Sequence, residues 1–194
     1  MLDLMEMDGD KIKTDGEIVI QSLNDSAHFS ILIDRYEEKL TRYIRRLCDC
    51  SKEDIEDLLQ EIFIKIYKNL NDFDQSLKFS SWAYRITHNE VISRFRRIKS
   101  HPQGADISEY EIKGNSPDTI LLLDQKLDGR KIAEILKEMD IKYREVLVLR
   151  FFEEKDYAEI SDILQKPAGT VATLLNRAKY QFRNIAKQLN INFK

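Results

Sequence analysis

Glycine and proline are scarce in this chain of 194 residues, at six and three respectively. So few turn formers exclude the hairpin-rich or loop-rich folds that depend on them. No segment sustains the alternation of a strand, and the apolar residues recur at helical periods almost throughout. An all-α fold is therefore expected. Cysteine is limited to two residues. Cys48 and Cys50 form a C-x-C with no second pair to complete a four-ligand zinc site, so a structural or incidental role is expected rather than a metal. No disulfide framework or secretory leader is evident, and the chain reads as cytoplasmic. Long hydrophobic runs are also missing. The apolar stretches are short and broken by charge, which excludes a membrane span and leaves no membrane contact of its own to expect. No nucleophile–base pair, glycine-rich phosphate loop or metal constellation stands out, so neither catalysis nor a cofactor is expected.

Acidic residues are absent from two informative places: between Glu90 and Asp106, and everywhere after Asp162. The formal net charge is −3, which looks unsuited to nucleic acid. The acid is concentrated in residues 1–25 and in the middle of the chain, however, while base gathers near the ends of two helical stretches. Attraction to phosphate is local, acting over a Debye length of about 8 Å at physiological salt, so an acidic total does not exclude DNA.

The stretch YAEISDILQKPAGTVATLLNRAKYQFRNIAKQL reads as two short helices joined by a tight turn. Asp156 suits an N-cap and Glu159 the matching capping-box position. Ile160, Ile163 and Leu164 make one apolar stripe. Pro167 stands near the start of the second helix, where its missing N–H costs little. Val171, Leu174, Leu175, Ala178 and Phe182 repeat at helical spacing. Thr170, Thr173, Asn176, Arg177, Gln181 and Arg183 form a polar, basic outer face. This arrangement lays a rod into the DNA major groove. Ser161 and Val171 fit the small and apolar positions of a helix-turn-helix, but Gln165 does not fit the turn position between them, where glycine is usual. The turn position asks for a left-handed backbone, which costs a non-glycine residue about 1–2 kcal/mol.

Residues 1–25 look like an acidic flexible arm. Three helices are expected next, near 27–47, 52–69 and 79–99. On the second, Ile55, Leu58, Leu59, Ile62, Phe63, Ile66, Tyr67 and Leu70 mark a core face. Asp54, Asp57, Gln60, Glu61, Lys65 and Lys68 mark the opposite one, with Glu61 and Lys65 spaced as an i, i+4 pair. By chemistry alone that polar face is most simply solvated. In the third, Phe73, Phe79, Trp82, Tyr84 and Phe95 interleave with Lys78, Arg85, Arg94, Arg96, Arg97 and Lys99. Cations track a phosphate backbone and aromatic faces accept unstacked bases; a buried aromatic helix with a basic tail is the alternative. Residues 101–116 read as a linker, and Ser116-Pro117-Asp118 as a helix start.

Three blocks in this order resemble the extracytoplasmic-function sigma factors of bacterial RNA polymerase, over about residues 26–189. DIEDLLQEIFIKIYKNL resembles the family's polymerase-docking helix, which implies that Asp54, Asp57, Gln60 and Glu61 contact the core enzyme. FSSWAYRITHN, followed by FRR, resembles the promoter-melting block. It implies that Asn71, Phe73, Lys78, Phe79, Trp82, Arg85, Asn89, Arg96 and Arg97 hold the separated minus-ten strand. Ser93 stands where the family has an acid. YREVLVLRFFEEKDYAEISDIL with PAGTVATLLNRAK resembles the domain that reads the minus-thirty-five duplex. It implies contacts from Lys166, Gly169, Thr170, Thr173, Arg177 and Lys179. Ala172 and Leu174 replace basic residues of the family pattern.

The resemblance implies two small helical domains joined by a flexible linker. Residues 26–100 would form a region-2-like helical bundle and residues 117–194 a region-4-like helix-turn-helix domain. The implied partners are core RNA polymerase, promoter DNA and an anti-sigma factor. The competing reading is a helix-turn-helix regulator that acts without docking to polymerase.

Overall fold

The structure, a computed structural model, describes residues 13–99 and 129–191. The expected linker at 101–116 and the helix start at Ser116-Pro117-Asp118 lie outside the described residues.

Eight α-helices occupy the described residues: α1 (Asp15–Asn24), α2 (Phe29–Leu47), α3 (Lys52–Lys68), α4 (Phe79–Lys99), α5 (Gly129–Glu138), α6 (Ile141–Phe151), α7 (Tyr157–Leu164) and α8 (Ala168–Gln188). The first four form one block and the last four another, with a single continuous apolar core running through both.

α1 corrects the expectation of a flexible arm for the part of residues 1–25 that is described. Thr14 and Glu17 form a reciprocal capping box at its start, satisfying backbone donors that a helix end otherwise leaves open. Ile18 and Val19 are buried against the core. Asp15 receives Arg35 Nη1 at 2.8 Å and the Tyr36 hydroxyl, pinning α1 to α2. Burial, and then the Asp15 carboxylate, push the Tyr36 phenol far above its ordinary range.

α2 is the spine of the first block. Phe29, Leu32, Tyr36, Leu40, Tyr43, Ile44 and Leu47 recur every three or four residues and are all buried. Burying each such side chain contributes about 1.5–3 kcal/mol. α3 begins at Ser51, whose side chain accepts from the Asp54 N–H, and buries the expected stripe except for Tyr67. That ring is 43% exposed and rests on Phe29 with centroids 5.1 Å apart.

α6 is the centre of the second block. Val146, Leu147, Val148 and Leu149 are fully buried in succession. A helix that is apolar all round must be covered on every side, and α6 packs against α8, α7 and α2. α7 opens with the expected Asp156–Glu159 capping box and ends at Gln165, with φ 52° and ψ 46°. The left-handed turn thus falls at the position expected, without glycine. The Gln165 side-chain amide donates to the Asp162 carbonyl at 2.6 Å. Pro167 occupies the N-cap of α8.

Candidate nucleic-acid and polymerase interface

α3 presents its polar face outward. Asp57, Gln60 and Glu61 are exposed, held in a row by a helix whose other face is core. Asp54 differs: it is half-buried and paired with Arg94 of α4. Lys65 is likewise not paired with Glu61 in the expected i, i+4 manner. It reaches across to Glu90 of α4.

α8 is divided in the same way. Val171, Leu175, Ala178 and Phe182 are buried while Gly169, Thr170 and Thr173 are exposed. Lys166 and Arg177 are half-buried. Thr173 Oγ1 donates back to the Gly169 carbonyl at 3.0 Å. Lys179 belongs to the other face. It is only 9% exposed, with its ammonium 5.4 Å from the centre of the Phe151 ring. The expectation that it contacts DNA is therefore corrected: at four residues from Leu175, Lys179 lies toward the core and uses its long stem there. Gln181 also turns inward, accepting from the Asp140 N–H at 3.3 Å.

The aromatic residues around α4 correct a second expectation. Phe73, Phe79 and Trp82 are 7%, 4% and 6% exposed, and their rings pack on one another with centroids 5.4–5.8 Å apart. They form a buried aromatic cluster, so no ring face is open to an unpaired base. The physical reason is spacing. Phe79 and Trp82 are three apart on the inward face of α4, and Phe73 folds back onto them from the preceding loop. The polar members are placed otherwise. Asn71, Lys78 and Asn89 are exposed and Arg85 is half-buried. Arg96 and Arg97 lie on the last turns of α4, and their side chains are outside the described residues.

One side of α4 packs against the second block, which no pattern within either block signalled. α7 lies along α4. Lys78 Nζ stands 3.2 Å from Glu159, and Arg85 Nη1 stands 3.2 Å from Asp162. Lys155 Nζ donates to Ser80 Oγ at 3.2 Å and lies over the Tyr84 ring; burial lowers its pKa. Glu153, nearly buried, accepts from Tyr84 at 2.6 Å and from Arg46 at 2.8 Å. Burial and Glu153 together drive the Tyr84 phenol well up. Deeper still, His88 of α4 faces Glu145 of α6 at 3.7 Å, with the Tyr43 hydroxyl 3.5 Å from the other ring nitrogen. Burial pushes the Glu145 carboxyl up to about 7, with Lys166 pulling the other way. Among the described residues no group of three or more His, Cys, Asp or Glu side chains is placed to hold a metal ion. Among them, too, no helix is long and apolar enough to cross a membrane.

Comparison with known proteins matches these surfaces to a family. The model of sigma-70 region 2 matches residues 32–101 and that of sigma-70 region 4 matches residues 129–182. The chain is 33% identical to the ECF RNA polymerase sigma factor SigW of Bacillus subtilis, over 85% of this chain and 92% of that protein. It is 28% identical to the ECF RNA polymerase sigma-E factor of Haemophilus influenzae, over 82% and 88%. The fold is similar to that of CnrH in complex with the cytosolic domain of CnrY, with a TM-score of 0.67, 22% identity and coverage of 91% and 99%. It is also similar to RpoE from Bartonella quintana in complex with the anti-sigma factor NepR, with a TM-score of 0.62, 20% identity and coverage of 82% and 96%.

Sigma-70 region 2 followed by sigma-70 region 4 defines a polymerase-associated initiation factor, and the chain belongs to the extracytoplasmic-function sigma factors of the sigma-70 family. Such a factor binds RNA polymerase and directs it to promoters. It is not a regulator acting apart from polymerase.

Proposed function

We propose that three surfaces divide the work of initiation. Asp57, Gln60 and Glu61 on α3 dock to core polymerase. Gly169, Thr170, Thr173, Arg177 and Lys166 meet the minus-thirty-five duplex. Asn71, Lys78, Arg85 and Asn89, with Arg96 and Arg97, take the separated minus-ten strand. Residues 26–100 and 117–194 are the two working domains, joined by 101–116. The observation that carries this reading is the division of α8, whose outer polar face stays exposed while the opposite face is core. A rod held in that way can enter a major groove without unfolding anything behind it.

The buried aromatic cluster takes a supporting part. Phe73, Phe79 and Trp82 stiffen α4, and strand capture falls to the amides and cations around it. Lys78 and Arg85 are engaged by Glu159 and Asp162, so promoter phosphates must displace α7 before α4 can read a strand. Half-exposed ion pairs of this kind are worth about 0.2–1 kcal/mol each, so a polyanion and a polymerase that spreads the two domains can outbid them.

The chain carries out no chemistry itself and works in the cytoplasm. RpoE of Bartonella quintana is found in complex with the anti-sigma factor NepR, and an anti-sigma factor holds this chain in reserve. Run-off transcription with sigma-free core polymerase and a promoter library tests the reading: defined start sites are expected with this chain and none without it. Asp57→Lys is expected to abolish binding to core polymerase while leaving the helical fold intact. Unchanged affinity would overturn the docking assignment.

A further inference from the structure

The C-x-C lies where the first block is gripped by the second. Cys48 caps the C-terminal end of α2, its N–H donating to the Ile44 carbonyl at 2.9 Å. It is bonded to Cys50, with the two Cα atoms 5.3 Å apart, inside the span usual for a disulfide. On either side are contacts to the second block. Leu47 O accepts from Arg144 of α6 at 2.7 Å. Asp49, between the two cysteines, pairs with Lys137 of α5; this hydrogen bond and its charge raise the Lys137 pKa. Arg144 also donates to the Lys137 and Met139 carbonyls, at 2.7 and 2.9 Å, so one guanidinium ties the end of α5 to the end of α2. A cleft of about 430 Å³ opens onto this place, walled by both cysteines, Arg45, Ile132, Leu136 and Phe152.

We propose that Cys48 and Cys50 are a redox site that sets how tightly the two blocks are clasped. The small ring closed by the disulfide fixes the backbone of residues 48–50, aiming Leu47 O and Asp49 at α6 and α5 together. Cys48 is 6% exposed and Cys50 half-buried on the cleft, so Cys50 is the sulfur a reductant reaches. The reductant is a dithiol. One of its thiolates attacks the Cys50 sulfur, the bond to Cys48 breaks, and Cys48 leaves as a thiolate that takes up a proton. The second dithiol sulfur then attacks the mixed disulfide and releases Cys50, which is protonated in turn. Two electrons and two protons pass to the pair, and the dithiol becomes a disulfide. With the ring open the loop relaxes, the Asp49–Lys137 and Leu47–Arg144 contacts loosen, and the blocks part. Disulfides inside cells are most often transient and redox-sensing, which suits this placement. The inference concerns the chain before it meets polymerase or DNA and does not depend on the residue roles proposed above.

The test uses the full chain without either partner. Protein equilibrated with oxidised glutathione is compared with the same protein reduced by dithiothreitol, by thiol titration with Ellman's reagent and by small-angle X-ray scattering. The oxidised protein is expected to show no titratable thiol and the reduced protein both, with a larger radius of gyration after reduction at unchanged helical circular dichroism. Cys48→Ser/Cys50→Ser is expected to keep the larger radius under both conditions. Asp49→Ala, which retains the disulfide, is expected to shrink the difference between the two states. Thiols that stay titratable in the oxidising buffer, or equal radii for the oxidised and reduced wild-type chain, would overturn the proposal.

Discussion

α4 and α8 are both placed by sequence resemblance against DNA, yet the structure treats them oppositely. The outer face of α8 is open, whereas Lys78, just before α4, and Arg85 within it are held by acids from α7. Under the proposed assignment the duplex-reading surface is complete in the compact chain, while part of the strand-reading surface is paired with α7. On that assignment the duplex is engaged first and the strand only after the two blocks separate.

Glu145 offers the largest way to disturb that contrast, because it is buried in the seam between α4 and α6. Its carboxyl titrates near 4.5 when unhindered and near about 7 in the fold. The folded chain therefore favours the protonated form. The cost of ionising Glu145 is absent below the lower value, grows as pH rises between the two and is complete above the upper one. That shift corresponds to about 3 kcal/mol. Urea unfolding at pH 4 and pH 8 is expected to show Glu145→Gln equal to wild type at the lower pH, below both values, and more stable at the higher. Equal stability at both would show that the carboxylate is already compensated in the seam.

Two cations of α8, Arg177 and Lys179, sharpen the comparison within one helix. Arg177→Ala is expected to weaken binding of the holoenzyme to a minus-thirty-five duplex by about 1–3 kcal/mol, with binding to a pre-opened minus-ten strand unchanged. Lys179→Ala is expected to do the reverse: lower thermal stability through lost packing and about 0.5–2 kcal/mol of cation–π attraction, and leave duplex affinity alone. Equal losses on both templates from Arg177→Ala would erase the distinction between the two surfaces.

Asp162→Asn releases Arg85 from α7. The pair is worth about 0.2–1 kcal/mol, so affinity for a single-stranded minus-ten oligonucleotide, measured by fluorescence anisotropy with the isolated chain, is expected to rise up to about fivefold. The smallest effect is expected at the turn. Gln165→Gly relieves about 1–2 kcal/mol of left-handed strain but adds about 0.4–1 kcal/mol of unfolded-chain entropy. A net gain near 0.5–1 kcal/mol in the unfolding free energy would check the strained turn, and no change in duplex binding is expected with it.

Local pattern carried much of this molecule. The capping box at Asp156 and the stripes on α2, α3 and α8 all follow from near-neighbour chemistry that a sequence displays directly, whereas Gln165 is left-handed although its residue type argues against that turn. α1 was missed because its apolar face is only Ile18 and Val19 with Ser22; the Thr14–Glu17 spacing was the signal that could have found it. The aromatic residues near α4 were ambiguous because one spacing serves a core cluster and a stacking platform alike, and only burial separates the two. Lys179 was misplaced because residue type was weighed over its position on the inward side of α8. The seam between the blocks was not legible at all. Its partners lie 57 to 107 residues apart, from His88–Glu145 to Arg46–Glu153, and nothing in the neighbourhood of Arg46 or Tyr84 announces Glu153.

α7 spans only eight residues, yet it packs against α8 on one side and α4 on the other. Chimeras that graft the C-terminal half of another sigma factor onto this N-terminal half would fold and would still dock. The borrowed α7 would bring foreign charges to Lys78 and Arg85, however, leaving such hybrids leaky or over-restrained according to its sequence. Transplanted promoter specificity would thus arrive with an altered threshold for switching on.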